Sequence, residues 1–178
     1  MADQKSGKTT GYHLFFEPTG PLAEELNRII KNLSKEYGGP TFVPHITLLA
    51  EIPDRGEKEI KENTKRLAAV LKPVSIELDD VDTQDEYFKA FYMRIRGKEE
   101  VEASHAKALH IFSMADEQAY LPHLSLLYGD YDSARKWKTI TDLGVPKGAS
   151  FLADKLHLYK TDGGVESWYK VATYAIGG

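Results

Sequence analysis

Two octets of the sequence each place a hydroxyl side chain two residues after a histidine, in nearly the same surroundings. The first, FVPHITLL, contains His45 and Thr47, and the second, YLPHLSLL, contains His123 and Ser125. Alternate residues of a β-strand point to the same face at a spacing of about 6.6 Å, so each histidine shares a face with its hydroxyl residue. If the two strands face one cleft, they present two imidazoles and two hydroxyl groups to one small ligand.

This set of side chains suits a phosphate group. Hydroxyl groups donate hydrogen bonds to phosphate oxygens, and a protonated imidazole donates a stronger one because it is charged. Since the reference pKa of histidine is about 6.5, one imidazole can act as a base and the other as an acid near neutral pH. Hydrolysis of a cyclic phosphodiester needs one group to deprotonate the attacking water and one to protonate the departing ribose oxygen. A single His-x-Thr pair would more often be structural, but its repetition favours a catalytic role.

Each octet ends the same succession of predicted elements, a strand, a helix and a short loop. Aromatic residues 12–17 predict the first strand, and apolar positions at helical spacing predict a helix that ends at Gly38 and Gly39. Alternation over residues 91–95 predicts a strand, and residues 99–112 predict the helix before the second octet.

The remaining patterns complete an α+β domain. They predict a helix that ends at Pro73, a strand from residue 74, a helix over about 134–143, and two final strands over about 151–159 and 168–175 that turn on the sequence DGGV. The predicted fold has two pseudo-symmetric lobes of antiparallel sheet with outer helices, in which the duplicated His-x-Thr/Ser strands face a central cleft.

We expect one bilobal domain over residues 12–178, preceded by a flexible lead-in over residues 1–11. The lead-in is polar and lacks the apolar stretch of a secretory signal.

Composition limits the classes of partner. The chain has no cysteine, which excludes disulfides and thiolate chemistry, and a net charge of −4, which disfavours a long polyanionic partner. No apolar run approaches the roughly 20 residues of a membrane span, so we expect no membrane partner. We expect a monomer located in the cytoplasm and also in the nucleus.

The octets resemble those of the two-histidine phosphoesterase superfamily. The stretches GPTFVPHITLL, AYLPHLSLLYGD and ESWYKVATY are most similar to its cyclic phosphodiesterase branch, and the resemblance covers about residues 12–175. That branch opens 2',3'-cyclic nucleotides and ADP-ribose 1'',2''-cyclic phosphate, a by-product of tRNA splicing. The resemblance implies a metal-independent hydrolase that needs no cofactor and acts on a small nucleotide cyclic phosphate.

The resemblance also implies roles for the octet residues. His45 and His123 become the catalytic acid–base pair, and Thr47 and Ser125 hold phosphate oxygens. By analogy His123 is the base and His45 the acid, which favours a 2'-phosphate product.

Aromatic residues complete the expected substrate site. Tyr128 ends the second motif, where the branch places a tyrosine that reaches the substrate. Phe15 occupies the first-strand position at which the branch stacks a ring on the base. Tyr87 and Phe88 are candidates for the opposite wall.

The sequence is also compatible with three other functions. A relative that processes RNA ends would use the same chemistry on oligonucleotides, but would need a basic track to the cleft. A non-catalytic module could bind a nucleotide phosphate through the same four side chains. A zinc hydrolase could use His45 and His123 as ligands, although no third ligand stands at motif spacing. Among the other histidines, we expect His13 to be structural and His157 to be exposed.

Overall fold

The protein is described here by a computed structural model that covers residues 7–115 and 119–177. Within these residues eight strands form: β1 (Tyr12–Phe16), β2 (Ile46–Ile52), β3 (Val74–Asp82), β4 (Phe91–Arg96), β5 (His123–Leu127), β6 (Ser150–Ala153), β7 (Lys155–Lys160) and β8 (Tyr169–Ala175). The same residues form four α-helices: α1 (Gly20–Tyr37), α2 (Glu57–Val70), α3 (Glu99–Phe112) and α4 (Ser133–Asp142). Short 3₁₀ turns occupy Tyr87–Lys89 and Val165–Ser167.

All eight strands belong to one sheet in the order β6-β3-β4-β5-β2-β1-β7-β8, and every neighbouring pair is antiparallel. The order is symmetric about its centre, where the two octet strands β5 and β2 meet. Each octet strand is flanked by the strand that leads into its own strand–helix–strand unit, β4 on one side and β1 on the other. The predicted α+β fold with two lobes is therefore confirmed, and the lobes are the two halves of a single continuous sheet.

The predicted bounds of one strand were wrong. Residues 151–159 do not form one strand, because the chain breaks at Asp154 into β6 and β7. β6 pairs with β3 in one half of the sheet, whereas β7 pairs with β1 in the other. The break lets this one stretch of the chain supply strands to both halves.

Helices α1, α2 and α3 cover the face of the sheet opposite the octet histidines. α1 ends at Gly38, whose φ of 75° is the left-handed conformation that glycine adopts at little cost, and its apolar stripe is buried. α1 packs against β5 and α3 packs against β2, so the helix before each octet covers the octet strand of the other half. No helix within the described ranges is long and apolar enough to cross a lipid bilayer.

Two connections differ from the sequence-based expectation. β7 and β8 pair as a hairpin, but residues 161–168 join them through a 3₁₀ turn, so DGGV is part of a longer loop. Residues 1–6 of the expected lead-in lie outside the described residues. Its remaining part is hydrogen-bonded to the domain, since Thr9 forms a β-bridge with Gly163 and the Gly11 amide donates to Asp162.

Candidate active site

The centre of the sheet brings the two octets together. β2 and β5 pair antiparallel at the residues that directly follow the two histidines. That register sets His45 opposite Ser125, and it sets Thr47 opposite His123. The sequence-predicted set of four side chains therefore lies on one face at the junction of the two halves, while the intervening apolar residues are buried in the core.

The two imidazoles are held in the same way. Nδ1 of His45 lies 2.6 Å from the carbonyl oxygen of Val43, and Nδ1 of His123 lies 2.7 Å from that of Leu121. A carbonyl oxygen only accepts, so Nδ1 of each ring donates and carries a hydrogen. In the neutral form of each ring, Nε2 is then the acceptor nitrogen, available for proton transfer.

Burial makes both histidines more acidic than in water. His45 is 5% exposed, and burial lowers its pKa to about 4, although its bond to Val43 and the charge of Glu17 oppose the shift. The pKa of the half-buried His123 is also lowered, mainly by burial. Both imidazoles are therefore neutral at pH 7 in this conformation, and an anionic phosphate between them would favour the protonated form.

The hydroxyl groups of Ser125, Thr47 and Tyr128 differ in their burial and in the groups that they contact. Ser125 is buried and its Oγ donates to the carbonyl oxygen of Phe88 at 2.8 Å, whereas Thr47 is half-buried. The ring of the buried Tyr128 stacks on Phe42 with a centroid separation of 3.8 Å, and its hydroxyl lies 3.5 Å from Nε2 of His45. Burial raises the pKa of Tyr128, so its phenol stays protonated and can donate.

Phe15 contacts a catalytic candidate. Its ring stacks on the His45 imidazole with a centroid separation of 3.8 Å and an interplanar angle of 20°, and the centroid of the Tyr159 ring lies 4.8 Å from its own. Phe15 is 2% exposed, so in this conformation its ring fixes the imidazole and offers no free face to a base.

The structure adds Trp168, which the site prediction from sequence did not include. Its ring centroid lies 6.4 Å from that of His45 and 6.2 Å from that of Phe88. Its Nε1 is buried, and no residue of the described ranges forms a hydrogen bond with it. The only sequence signal for Trp168 was its place in ESWYKVATY, because it lies far along the chain from both octets.

Two of the other histidines, His13 and His157, have structural partners. His13 is buried, as expected for a structural residue, and Nδ1 lies 2.6 Å from Oγ1 of Thr161. The expected exposure of His157 was wrong: it is buried between Thr173, 2.9 Å from its Nδ1, and Glu17, 3.9 Å from its Nε2. Its neighbours on β1 and β8 cover it, which strand alternation alone does not predict.

The side chains of the candidate site suit acid–base chemistry better than metal binding. Over residues 7–115 and 119–177, no group of three or more His, Cys, Asp and Glu side chains is placed to hold a metal ion. The zinc alternative thus finds no third ligand in this part of the chain.

Comparison with protein-family sequences places the chain in a family. Residues 18–165 match the 2'-5' RNA ligase superfamily, so the chain belongs to this family of two-histidine phosphoesterases, as the octets predict. An Arabidopsis thaliana protein named cyclic phosphodiesterase is 27% identical over 168 residues, which cover 90% of this chain and 92% of the plant protein. The predicted class, an enzyme that hydrolyses phosphodiesters, agrees with this family.

Solved structures share the fold. A crystal structure described as a phosphoesterase matches with a TM-score of 0.66 and 12% identity over 96% of this chain and all of the other. Escherichia coli LigT in complex with 3'-AMP matches with a TM-score of 0.61 and 15% identity over 94% of this chain and 99% of LigT. At these identities the likeness establishes the architecture.

Proposed function

We propose that this protein is a cyclic phosphodiesterase that opens the cyclic phosphate of a small nucleotide by acid–base catalysis with His45 and His123. The observation that carries the proposal is the matched anchoring of the two rings through Nδ1, at 2.6 and 2.7 Å from a carbonyl oxygen two residues upstream. This anchoring leaves Nε2 of each ring for proton transfer on the same face of the sheet. The name of the plant relative, which matches nearly the full length of both chains, supports the same reaction.

In the proposed reaction, one neutral imidazole takes a proton from water as the water oxygen forms a bond to phosphorus. The bond between phosphorus and one ribose oxygen breaks, and the other imidazole, in its protonated form, gives its proton to that oxygen. The product is a phosphomonoester. Following the family resemblance, we assign His123 as the base and His45 as the acid, so that the 3' oxygen leaves and the product is a 2'-phosphate.

Three hydroxyl groups would stabilise the charge that develops on the phosphate oxygens. Thr47 and Ser125 face the phosphate from opposite strands, and the neutral phenol of Tyr128 donates beside Nε2 of His45. The Ser125 hydroxyl must leave the carbonyl of Phe88 to reach the phosphate, so substrate binding is coupled to this contact.

We propose 2',3'-cyclic nucleotides and ADP-ribose 1'',2''-cyclic phosphate as the substrates. Both carry a five-membered cyclic phosphate on a ribose. The two histidines and three hydroxyl groups would contact this cyclic phosphate, which the two substrates share. Nucleotide-sized ligands are consistent with the structural neighbour LigT, which was crystallised with 3'-AMP.

The test is a chromatographic assay of the purified protein with 2',3'-cyclic AMP in the presence of EDTA, in which 2'-AMP and 3'-AMP are separated. We expect conversion to 2'-AMP, and a loss of several orders of magnitude in turnover for His45→Ala and for His123→Ala. His110→Ala, an exposed position on α3, is the control and should keep wild-type activity. Near-native turnover of either octet variant would refute the acid–base assignment, and nucleotide binding without turnover by the intact protein would favour the non-catalytic module.

A further inference from the structure

The first described residues lie along a loop of one half of the sheet. The Thr9 amide donates to the carbonyl oxygen of Gly163 at 3.0 Å, and the Gly163 amide donates to that of Thr9 at 2.9 Å. Thr9 is buried, and its hydroxyl also donates to the carbonyl of Thr161. Residues 7–10 are thereby fixed to the loop 161–168 that joins β7 and β8.

The other end of this segment touches the opposite half of the sheet. Gly7 has a φ of +66°, and a Cβ added there would overlap the ring of Tyr87, so its backbone lies directly on that ring. Tyr87 belongs to the loop 83–90 that joins β3 and β4. Glycine is required at this position for both reasons, the left-handed conformation and the close approach.

The two loops that the segment joins carry the rings next to the catalytic candidates. Phe88, on loop 83–90, and Trp168, at the end of loop 161–168, have ring centroids 6.2 Å apart with an interplanar angle of 28°. The carbonyl of Phe88 accepts the Ser125 hydroxyl. Burial, followed by the charge of Glu166 on the facing loop, raises the pKa of Tyr87, which agrees with the closeness of the two loops.

The base of loop 83–90 is fixed independently of the N-terminal segment. Nζ of the buried Lys136 lies 2.7 Å from the Asp85 carboxylate and 2.8 Å from the carbonyl oxygen of Gln84. The Gly129 amide donates to the carbonyl of Tyr87 at 2.8 Å. These bonds to loop 83–90 involve none of residues 7–10, so they remain if the contact between Gly7 and the Tyr87 ring is broken.

We propose that residues 7–10 form a clasp that closes the two loops over His45 and Ser125 and thereby limits the substrate to the size of a nucleotide. His45 and Ser125 are each 5% exposed, so a cyclic phosphate reaches them only when the loops part. The loops can then close over a free nucleotide. When the cyclic phosphate ends an oligonucleotide, the rest of the oligonucleotide has to pass between the two loops, which prevents them from closing. This inference rests on the proposed function, and it names the small-molecule class as the substrate.

The test compares two glycine variants. Gly7→Ala and Gly97→Ala both place a Cβ on a left-handed backbone, with φ of +66° and +60°, but only the Cβ at position 7 meets another side chain. We measure kcat/KM for 2',3'-cyclic AMP and for a short oligoribonucleotide that ends in a 2',3'-cyclic phosphate. The ratio of oligonucleotide to nucleotide activity should rise about tenfold in Gly7→Ala, equivalent to about 1.4 kcal/mol, and should not change in Gly97→Ala. An unchanged ratio in Gly7→Ala, with both activities measurable, would overturn the proposal.

A second measurement does not depend on catalysis. Trp137 is exposed on α4, so Trp137→Phe leaves Trp168 as the only tryptophan and its fluorescence as the signal. In that background Gly7→Ala should raise acrylamide quenching of Trp168 about twofold, because the two loops separate more often by local opening, without global unfolding. Gly97→Ala should leave the quenching unchanged. If the intact protein hydrolyses neither substrate, the proposed function fails while the quenching result still decides the clasp. Equal quenching in the two variants would refute the clasp whatever the activity.

Discussion

The buried imidazole of His45 should make the stability of the fold depend on pH. Its ordinary pKa of 6.5 falls to about 4 in the folded protein, mainly because burial disfavours the charged ring. Between these two pH values the unfolded chain binds more protons than the folded chain, so the free energy of unfolding falls as the pH is lowered through this window. The contribution of His45 is fully present above pH 6.5 and reaches its minimum below pH 4.

The size of the effect follows from the two pKa values. At about pH 5 almost every unfolded chain is protonated at His45, whereas about one folded molecule in ten is, which corresponds to a loss of about 2 kcal/mol of stability relative to neutral pH. His13 is also buried and its pKa is lowered to about 3, so it adds a loss of its own. Removal of His45 should therefore reduce the acid destabilisation without abolishing it.

The assay is urea unfolding of the wild type and of His45→Asn at about pH 7.5 and at about pH 5, followed by circular dichroism. Asparagine keeps an N–H group that can donate to the carbonyl of Val43 but cannot be protonated in this range. The stability difference between the two pH values should be about 2 kcal/mol smaller in His45→Asn, and His110→Asn, at an exposed position, should behave as the wild type. The same pH difference in wild type and His45→Asn would refute the claim that His45 is buried and neutral.

Two further predictions concern catalysis. Because the pKa values of His45 and His123 are both lowered, the bell-shaped profile of kcat/KM should have its maximum below pH 6.5, and a steady-state profile of the wild type with its maximum above pH 7 would contradict this. Phe15→Leu keeps most of the buried volume but removes the ring that lies on the His45 imidazole, so it should cost about 1 kcal/mol of stability and lower kcat about tenfold with little change in KM. Chemical denaturation and steady-state kinetics check both parts, and an unchanged kcat would show that the ring only fills space.

Much of the architecture could be predicted from local patterns. α1 and α3 follow from helical spacing of apolar residues, and glycine at position 38 ends α1 in the left-handed conformation. The octets read as strands with a polar face of histidine and hydroxyl, and that alternation is intrinsic to a strand. These features depend only on residues a few positions apart in the sequence, so the sequence alone determines them.

The pairing of distant segments was decided by the tertiary structure. Residues 151–159 were predicted as one strand, but the strand partner changes from β3 to β1 at Asp154, and alternation along the chain does not specify such a change of partner. His157 is buried for a similar reason, since Thr173 of β8 and Glu17, the residue after β1, approach it from distant parts of the chain.

The sequence by itself determined the chemistry that the site can perform, two imidazoles and two hydroxyl groups in repeated strands. Only the tertiary structure decided that β2 and β5 meet at the centre of one sheet, that Phe15 packs on His45, that Gly7 lies on the ring of Tyr87, and that Trp168 lies near His45. The residue types and their alternation are local properties, whereas each of these contacts joins residues far apart in the chain and exists only once the whole sheet has paired.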